Sequence, residues 1–231
     1  MSDEPPRPID RAFLSNDPEA GQLIMVRHGQ QQWPDPETST VGDWIDPPLS
    51  ELGRQQAAAV ATYLAVESVT AVYSSNLKRA YDTGRAVAET HDVALQTIEQ
   101  LEEINLYGGL PPDVRPIDVL GEKVVSGARE RFVLTRRWDS YPHSETSADF
   151  RRRVGFAMEA AIADHPGETV VVACHGGVIN TYLADLLGLS VDMFYRPVHA
   201  SVHRVLFKGT IRVIESLNEQ TFLRDQGLLS L

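Results

Sequence analysis

The chain has 231 residues, 42% of them hydrophobic and 23% charged, which suits one substantial core and excludes a fibrous or wholly disordered protein. A net charge of −11 with a pI near 5.0 leaves no overall basic footprint for nucleic acid, so an anionic ligand must be met by arginines that the fold gathers. The single cysteine, Cys174, excludes an intrachain disulfide and a cysteine-rich zinc module and fits a reducing, cytoplasmic compartment; no apolar run approaches the roughly 18 residues of a membrane span.

Residues 1–20 are acidic and proline-rich, without the apolar stretch of a secretory signal, and read as a disordered leader. Leu23–Val26 is a short apolar run ending at Arg27-His28-Gly29, the pattern of a buried strand entering a loop. After a loop closing at Asp46-Pro47-Pro48, Ser50 is placed to cap a helix whose Leu52, Gln56, Ala59, Val60, Tyr63 and Leu64 recur on one face. Val69–Tyr73 is a second strand. Ser74-Ser75-Asn76 breaks it and can cap a helix from Leu77 to about His91, and a third strand is expected at Val93–Ile98. Residues 105–142 are the least regular and read as an inserted cap, with a helix near Ala128–Trp138. A helix from Thr146 to about Asp164 ends at His165-Pro166-Gly167. Thr169–Cys174 is the clearest buried strand. It runs into His175-Gly176-Gly177 and a helix through Leu187. Two closing strands, Ser201–Phe207 and Ile211–Ser216, flank a turn at Lys208-Gly209-Thr210, and residues 221–231 form a tail.

Strands alternating with helices predict an α/β fold of three layers, α/β/α, with a mostly parallel central sheet, an antiparallel edge and a small inserted cap. In such a sheet ligands bind beyond the carboxyl ends of the strands. The residues there are Arg27, His28, Gly29 and Gln30 after the first strand and Ser74, Ser75 and Arg79 after the second. Glu102 and Glu103 follow the third, and His175 and Gly176 follow the valine-rich strand. Two arginines, two histidines and a carboxylate suit phosphoryl transfer. Guanidinium forks pair with phosphate oxygens, an imidazole nitrogen can take the phosphoryl group, and a carboxylic acid can protonate the leaving alkoxide.

Leu23-Ile-Met-Val-Arg27-His28-Gly29-Gln30 resembles the RHG signature of the histidine phosphatase superfamily, also called phosphoglycerate mutase-like. The likeness continues in order through Asp46–Ala57, Ser74–Thr83, Leu101–Ile104, Ser144–Val154, Cys174–Gly177 and Ala200–Val202, so it spans about residues 22–215. The resemblance implies that His28 is the phosphorylated nucleophile, that Arg27, Arg79 and His175 form the phosphate pocket, and that Glu103 is the proton donor, with Glu102 as the alternative. It also implies that Gly29 and Gly176 border the phosphate, that Gln30 touches phosphate or substrate, and that neither metal nor organic cofactor is needed. Two positions depart from the pattern. His199 stands where asparagine is expected before the Ala-Ser pair, and Gln31 where a small hydroxyl residue is common; both bear on substrate contacts.

The leading expectation is a metal-independent phosphatase acting on a small phosphomonoester, with no nucleic-acid or membrane partner and with a possible homodimer through an edge strand. The alternatives are a phosphoglycerate-type mutase and a non-catalytic phosphate-binding module. Cys174 is not expected to act as a phosphatase nucleophile, because a Cys-x5-Arg loop would need arginine where Asn180 stands. His199 and His203 are not expected to form a metal pair. Arg151-Arg152-Arg153 read as a solvated helix face, with a distal anion as the alternative partner. In the cap, Tyr107, Arg115, Arg129, Arg131, Phe132, Arg136, Arg137 and Trp138 could receive a second anionic or ring-bearing group, or could be ordinary surface and cap core.

Overall fold

The computed structural model describes residues 8–231. A short helix α1 (Pro8–Ala12) precedes β1 (Gly21–Arg27), α2 (Val41–Ile45), α3 (Glu51–Leu64), β2 (Val69–Ser74), α4 (Lys78–Thr90) and β3 (Leu95–Thr97). The cap holds α5 (Pro116–Leu120) and α6 (Glu122–Thr135). The chain returns through α7 (Ser147–Ala163), β4 (Thr169–Cys174), α8 (Gly176–Leu186), β5 (Val202–Lys208), β6 (Ile211–Glu219) and α9 (Thr221–Arg224).

The six strands lie in the order β3-β2-β4-β1-β5-β6. The first four are mutually parallel, and β5 and β6 add the antiparallel edge. The centre of the sheet is buried on both faces, and its strands accordingly read as unbroken apolar runs. Leu23, Ile24, Met25 and Val26 in β1, and Val170 to Cys174 in β4, are fully enclosed. Each Leu, Ile, Met or Val side chain among them contributes about 1.5–3 kcal/mol by leaving water. One face packs on α7 and α8 through Phe150, Val154, Met158, Ile179 and Leu183. The other packs on α3, α4 and α9 through Val60, Leu64, Val87 and Leu223. This is the three-layer α/β/α arrangement expected.

Several boundaries have a physical cause that the sequence pattern conceals. Ser50 caps α3 as expected, its hydroxyl accepting from Gly53 N at 3.0 Å. The start of α4 is satisfied differently. Leu77 occupies the cap position without a side-chain bond, and Asp46, 32 residues upstream, accepts from Lys78 N at 2.7 Å. The cap helix runs over 122–135, not 128–138. It enters at Gly121 (φ +80°) and stops at Arg136, which adopts the left-handed conformation (φ +52°). Trp138 therefore lies in a following turn and is buried, stacked on Phe132 with ring centroids 4.8 Å apart. β3 is shorter than expected and half-exposed, as an outermost strand is.

The expected disordered leader falls partly outside the described residues, over 1–7. From residue 8 the chain lies on the fold. Leu14 is buried, and Asp17 and Glu19 both pair with Lys208. The tail is likewise packed, with Phe222 stacked on Tyr63 at 4.2 Å and Leu223 enclosed.

Candidate active site

The parallel register aligns the carboxyl ends of β1, β4 and β2, pairing Arg27 with Cys174 and Ser74 with Ala173. The segments leaving these strands therefore meet at one edge. The loop after β1 is held by close backbone approach. A Cβ on Gly29 would stand 2.4 Å from Gly53 O, and one on Gly53 would stand 2.0 Å from Gln30 O, so neither position admits a side chain. Gly29 N donates to Thr83 Oγ1 at 3.1 Å, which in turn donates to Arg79 O at 2.7 Å. The first loop and the arginine of α4 are thus fixed to each other.

His28 is 4% exposed and sits against His175, ring centroids 5.1 Å apart. Its Nδ1 lies 2.7 Å from Gly29 O, which only accepts, so Nδ1 carries the proton and Nε2 keeps a free lone pair. Burial, followed by the charges of Arg79, His175 and Arg27, holds His28 well below 6.5, and the neutral imidazole persists at neutral pH. His175 is completely enclosed and is also held well below 6.5, first by burial and then by Arg79 and Arg27. Both its ring nitrogens lack a hydrogen-bond partner.

Arg27 donates through Nη1 to Pro197 O at 2.5 Å and through Nη2 to His199 Nε2 at 2.9 Å. Burial lowers its pKa to about 10, and it remains a cation. Arg79 donates through Nη1 to Ile45 O at 3.0 Å, and burial lowers its pKa while Glu103 and Asp46 oppose the shift. The Nε of each arginine is buried and unpartnered. Buried polar groups are normally satisfied, so three idle donors in one place, on two cations and one neutral imidazole, describe a site suited to an anion.

Glu103 reaches this place from the loop after β3. Its Oε2 accepts from Gly177 N at 2.9 Å and its Oε1 from Ile104 N at 3.1 Å, which puts the carboxyl group at the first turn of α8, where the helix dipole favours negative charge. Gly177 makes the approach possible, since a Cβ there would stand 2.3 Å from Glu103 Oε1. Glu102 also lines the cavity.

Two expected contacts change. Gln30 does not line the cavity. Its Oε1 accepts from Ser50 Oγ at 2.9 Å, and its backbone is gripped by Gln56 and Ser50, so it braces the loop from behind while Gln31 lines the cavity instead. The arginine run on α7 is not a solvated face either. Arg151 pairs with buried Asp192, which also accepts from Trp138 N and Ser147 Oγ. Arg153 pairs with Glu145 and donates to Gln100 O at 2.8 Å and Glu102 O at 2.7 Å, so it holds the segment that carries Glu103. Only Arg152 projects into solvent. Gly29 spends its amide on Thr83, and Gly176 lies beside Arg27, where a Cβ would stand 3.5 Å from Nε, an ordinary contact. Cys174 is an enclosed strand-end residue whose thiol burial pushes up. His199 and His203 face different partners.

The role of His199 could not be read in the sequence. Because Arg27 Nη2 donates to its Nε2, Nδ1 carries the proton and donates to Ser230 Oγ at 2.9 Å. Burial, then Arg27, lowers the His199 pKa to about 3, which keeps that tautomer neutral. Gln56 Nε2 donates to the same hydroxyl at 2.8 Å and to Leu228 O at 2.7 Å. The tail therefore braces Arg27 through His199 and the first loop through Gln56.

Above the pocket opens a cavity of about 600 Å³, lined by Arg27, His28, Arg79 and Glu103 at one end and by cap residues at the other. The assembly offers a neutral nucleophilic nitrogen, a cationic cradle for a phosphoryl group and a carboxyl group beside them.

The histidine phosphatase superfamily (branch 1) matches residues 23–220. The chain is 31% identical over 185 residues to a phosphoserine phosphatase 1 of Hydrogenobacter thermophilus, covering 75% of this chain and 80% of the relative. It is 28% identical over 179 residues to a probable phosphoglycerate mutase of Yersinia pestis, covering 78% and 77% respectively. A mycobacterial glucosyl-3-phosphoglycerate phosphatase superposes with a TM-score of 0.70 at 27% identity, over 86% of this chain and 99% of that one. With a match that runs from the first strand to the last, over the same stretch that brings the two histidines and two arginines together, the chain belongs to the histidine phosphatase superfamily.

Proposed function

We propose that this protein is a phosphatase that hydrolyses small phosphomonoesters through a phosphohistidine on His28. The observation that carries the reading is the set of buried, unpartnered donors on Arg27, Arg79 and His175 around the free nitrogen of a neutral His28. A phosphate group supplies what these donors lack, and binding it offsets the cost of their burial.

In the first step His28 Nε2 attacks phosphorus and the bond to the ester oxygen breaks. Glu103 gives its proton to the departing alkoxide. Arg27, Arg79 and His175 stabilise the charge on the equatorial oxygens. In the second step Glu103, now a carboxylate, takes a proton from water as that oxygen attacks phosphorus. Inorganic phosphate leaves, and His28 and protonated Glu103 are restored. Both steps use only this chain's side chains and water. The relatives named above include enzymes of both the hydrolase and the mutase kind. The two outcomes differ only in whether water or a second hydroxyl receives the phosphoryl group.

The test is turnover of a chromogenic phosphomonoester in the presence of chelator, wild type beside His28→Ala, with acid-quenched protein examined for phosphohistidine. Turnover by the wild type and a loss of about 10⁴-fold or more in the variant is expected for removal of a covalent nucleophile. Equal turnover by both proteins would overturn the mechanism. Phosphoryl exchange on 3-phosphoglycerate faster than its hydrolysis would replace the phosphatase reading by the mutase one.

A further inference from the structure

The peptide group between Gly176 and Gly177 lies in the first turn of α8, and its N–H donates to Glu103 Oε2 at 2.9 Å. An N–H in the first turn has no partner within its own helix, so its direction depends on what holds the peptide plane. Gly177 is covered by the Glu103 carboxyl group and by the indole of buried Trp138, whose Cζ2 would stand 3.2 Å from a Cβ at that position. The carbonyl end of the same peptide is held separately. Gly176 O accepts from Asn180 Nδ2 at 2.9 Å.

Asn180 is completely enclosed. Its Oδ1 accepts from the backbone N–H of Phe194 at 3.0 Å and of Tyr195 at 3.3 Å. Backbone N–H groups only donate, so the oxygen must face them and the NH2 must face Gly176; the amide cannot be turned over. The two ends of the side chain therefore do different things. Oδ1 ties down the segment that leads to Pro197 O and His199, the acceptors of Arg27. Nδ2 acts on the peptide whose N–H holds Glu103. Hydrogen bonds in series polarise one another, so a donor on the Gly176 carbonyl strengthens the Gly177 N–H as a donor to the carboxyl group.

We propose that Asn180 is a positioning residue for the general acid: through the Gly176–Gly177 peptide it fixes and polarises the N–H that holds the Glu103 carboxyl group in place. The series runs from Asn180 Nδ2 to Gly176 O, across one peptide, and from Gly177 N to Glu103 Oε2. Arg153 holds the backbone of the segment that carries Glu103, whereas Asn180 acts on the carboxyl group itself. Asn180 touches neither the phosphoryl group nor the leaving group, and its effect is confined to the step that needs a proton. This inference deepens the phosphatase reading with Glu103 as the acid, and it rests on that reading.

The test compares phenyl phosphate, whose leaving group needs a proton, with p-nitrophenyl phosphate, whose leaving group hardly does. Inhibition by inorganic phosphate reports the Arg27 pocket separately. Asn180→Asp keeps an oxygen for the Phe194 and Tyr195 amides and removes the donor to Gly176 O. It is expected to lower kcat/KM on phenyl phosphate by about tenfold, a part of the roughly 10²–10⁴-fold worth of general acid catalysis. On p-nitrophenyl phosphate the loss should stay under about twofold, with the phosphate inhibition constant unchanged. The loss on phenyl phosphate should shrink as pH falls, because the introduced carboxyl group, once protonated, can donate to Gly176 O again. Asn180→Ala removes both ends and keeps the test available if the buried carboxyl group prevents folding. It should show the same leaving-group preference, weaker phosphate inhibition and an upfield shift of the Gly177 amide proton in NMR spectra. Equal losses on the two esters, or no loss on either, overturn the role given to Asn180 and leave the phosphatase reading standing. Release of phosphate from neither ester by the wild type overturns the phosphatase reading and this inference with it.

Discussion

The chemistry proposed for His28 rests on two local facts, the Gly29 carbonyl that fixes its tautomer and the burial that keeps it neutral. Its folded pKa lies well below 6.5, so the imidazole stays unprotonated through mildly acidic pH. The acid limb of kcat/KM should accordingly fall below pH 6.5, and a limb centred at 6.5 in a pH–rate profile would contradict this assignment. Gly177 offers a second residue-level check. Gly177→Ala drives a methyl group into Glu103 Oε1 and should lower kcat by about 10²–10³-fold, within the usual worth of general acid catalysis. The loss should be largest for alkyl esters and smallest for nitrophenyl esters, whose leaving group needs little protonation; an equal loss on both would show that Gly177 matters for something other than the acid. The places of Arg27, His28, Arg79 and His175 were legible because each follows a recognisable strand. Those of Gln30 and Arg153 were not, because their partners are a hydroxyl and backbone carbonyls distant in sequence, which no spacing encodes.

At the scale of elements, the sheet was legible because its buried strands are continuous apolar runs, whereas the cap was not. The ends of α6 are set by left-handed backbone at Arg136 and by Gly121, and the α4 start depends on Asp46 from another loop. The tail is the element whose role exceeds its appearance. It contributes Ser230 and Leu228 O to the supports of Arg27 and Gln30. Ser230→Ala leaves the His199 Nδ1–H unpaired and frees the ring that orients Arg27. It should raise KM and the inhibition constant of inorganic phosphate by about three- to tenfold, with little change in kcat, in line with one lost hydrogen bond. Deleting residues 228–231 should do more. Unchanged phosphate affinity in both variants would mean that Arg27 is held without the tail.

For the whole molecule, the anion pocket should be visible as a stability term. The buried Nε groups of Arg27 and Arg79 and the His175 ring find no partner in the fold, so on the proposed reading phosphate at 100 times its dissociation constant should stabilise the fold by about 2.7 kcal/mol. That corresponds to about 5–10 °C in Tm for a chain of this size, and scanning calorimetry would register it; no shift would argue against a preformed pocket. The buried histidines supply a pH term of defined sign. His28, His175, His199 and His203 all have folded pKa values depressed by burial, to about 3 for the last two. Their contribution is fully present above pH 6.5 and is lost as pH falls toward the folded values, because the unfolded chain takes up protons that the folded one refuses. Each costs about 1.4 kcal/mol per pH unit within that window, so denaturation midpoints should fall between pH 7 and pH 5.

The docking of residues 228–230 beneath the first loop also has a consequence for synthesis. β1 and its arginine are made first, but the hydroxyl that orients His199, and through it Arg27, is made some 200 residues later. A nascent chain that has not yet freed residue 230 from the ribosomal exit tunnel has a sheet but an unbraced pocket. Full affinity for an anion therefore arrives only after the strands of the sheet are free to pair.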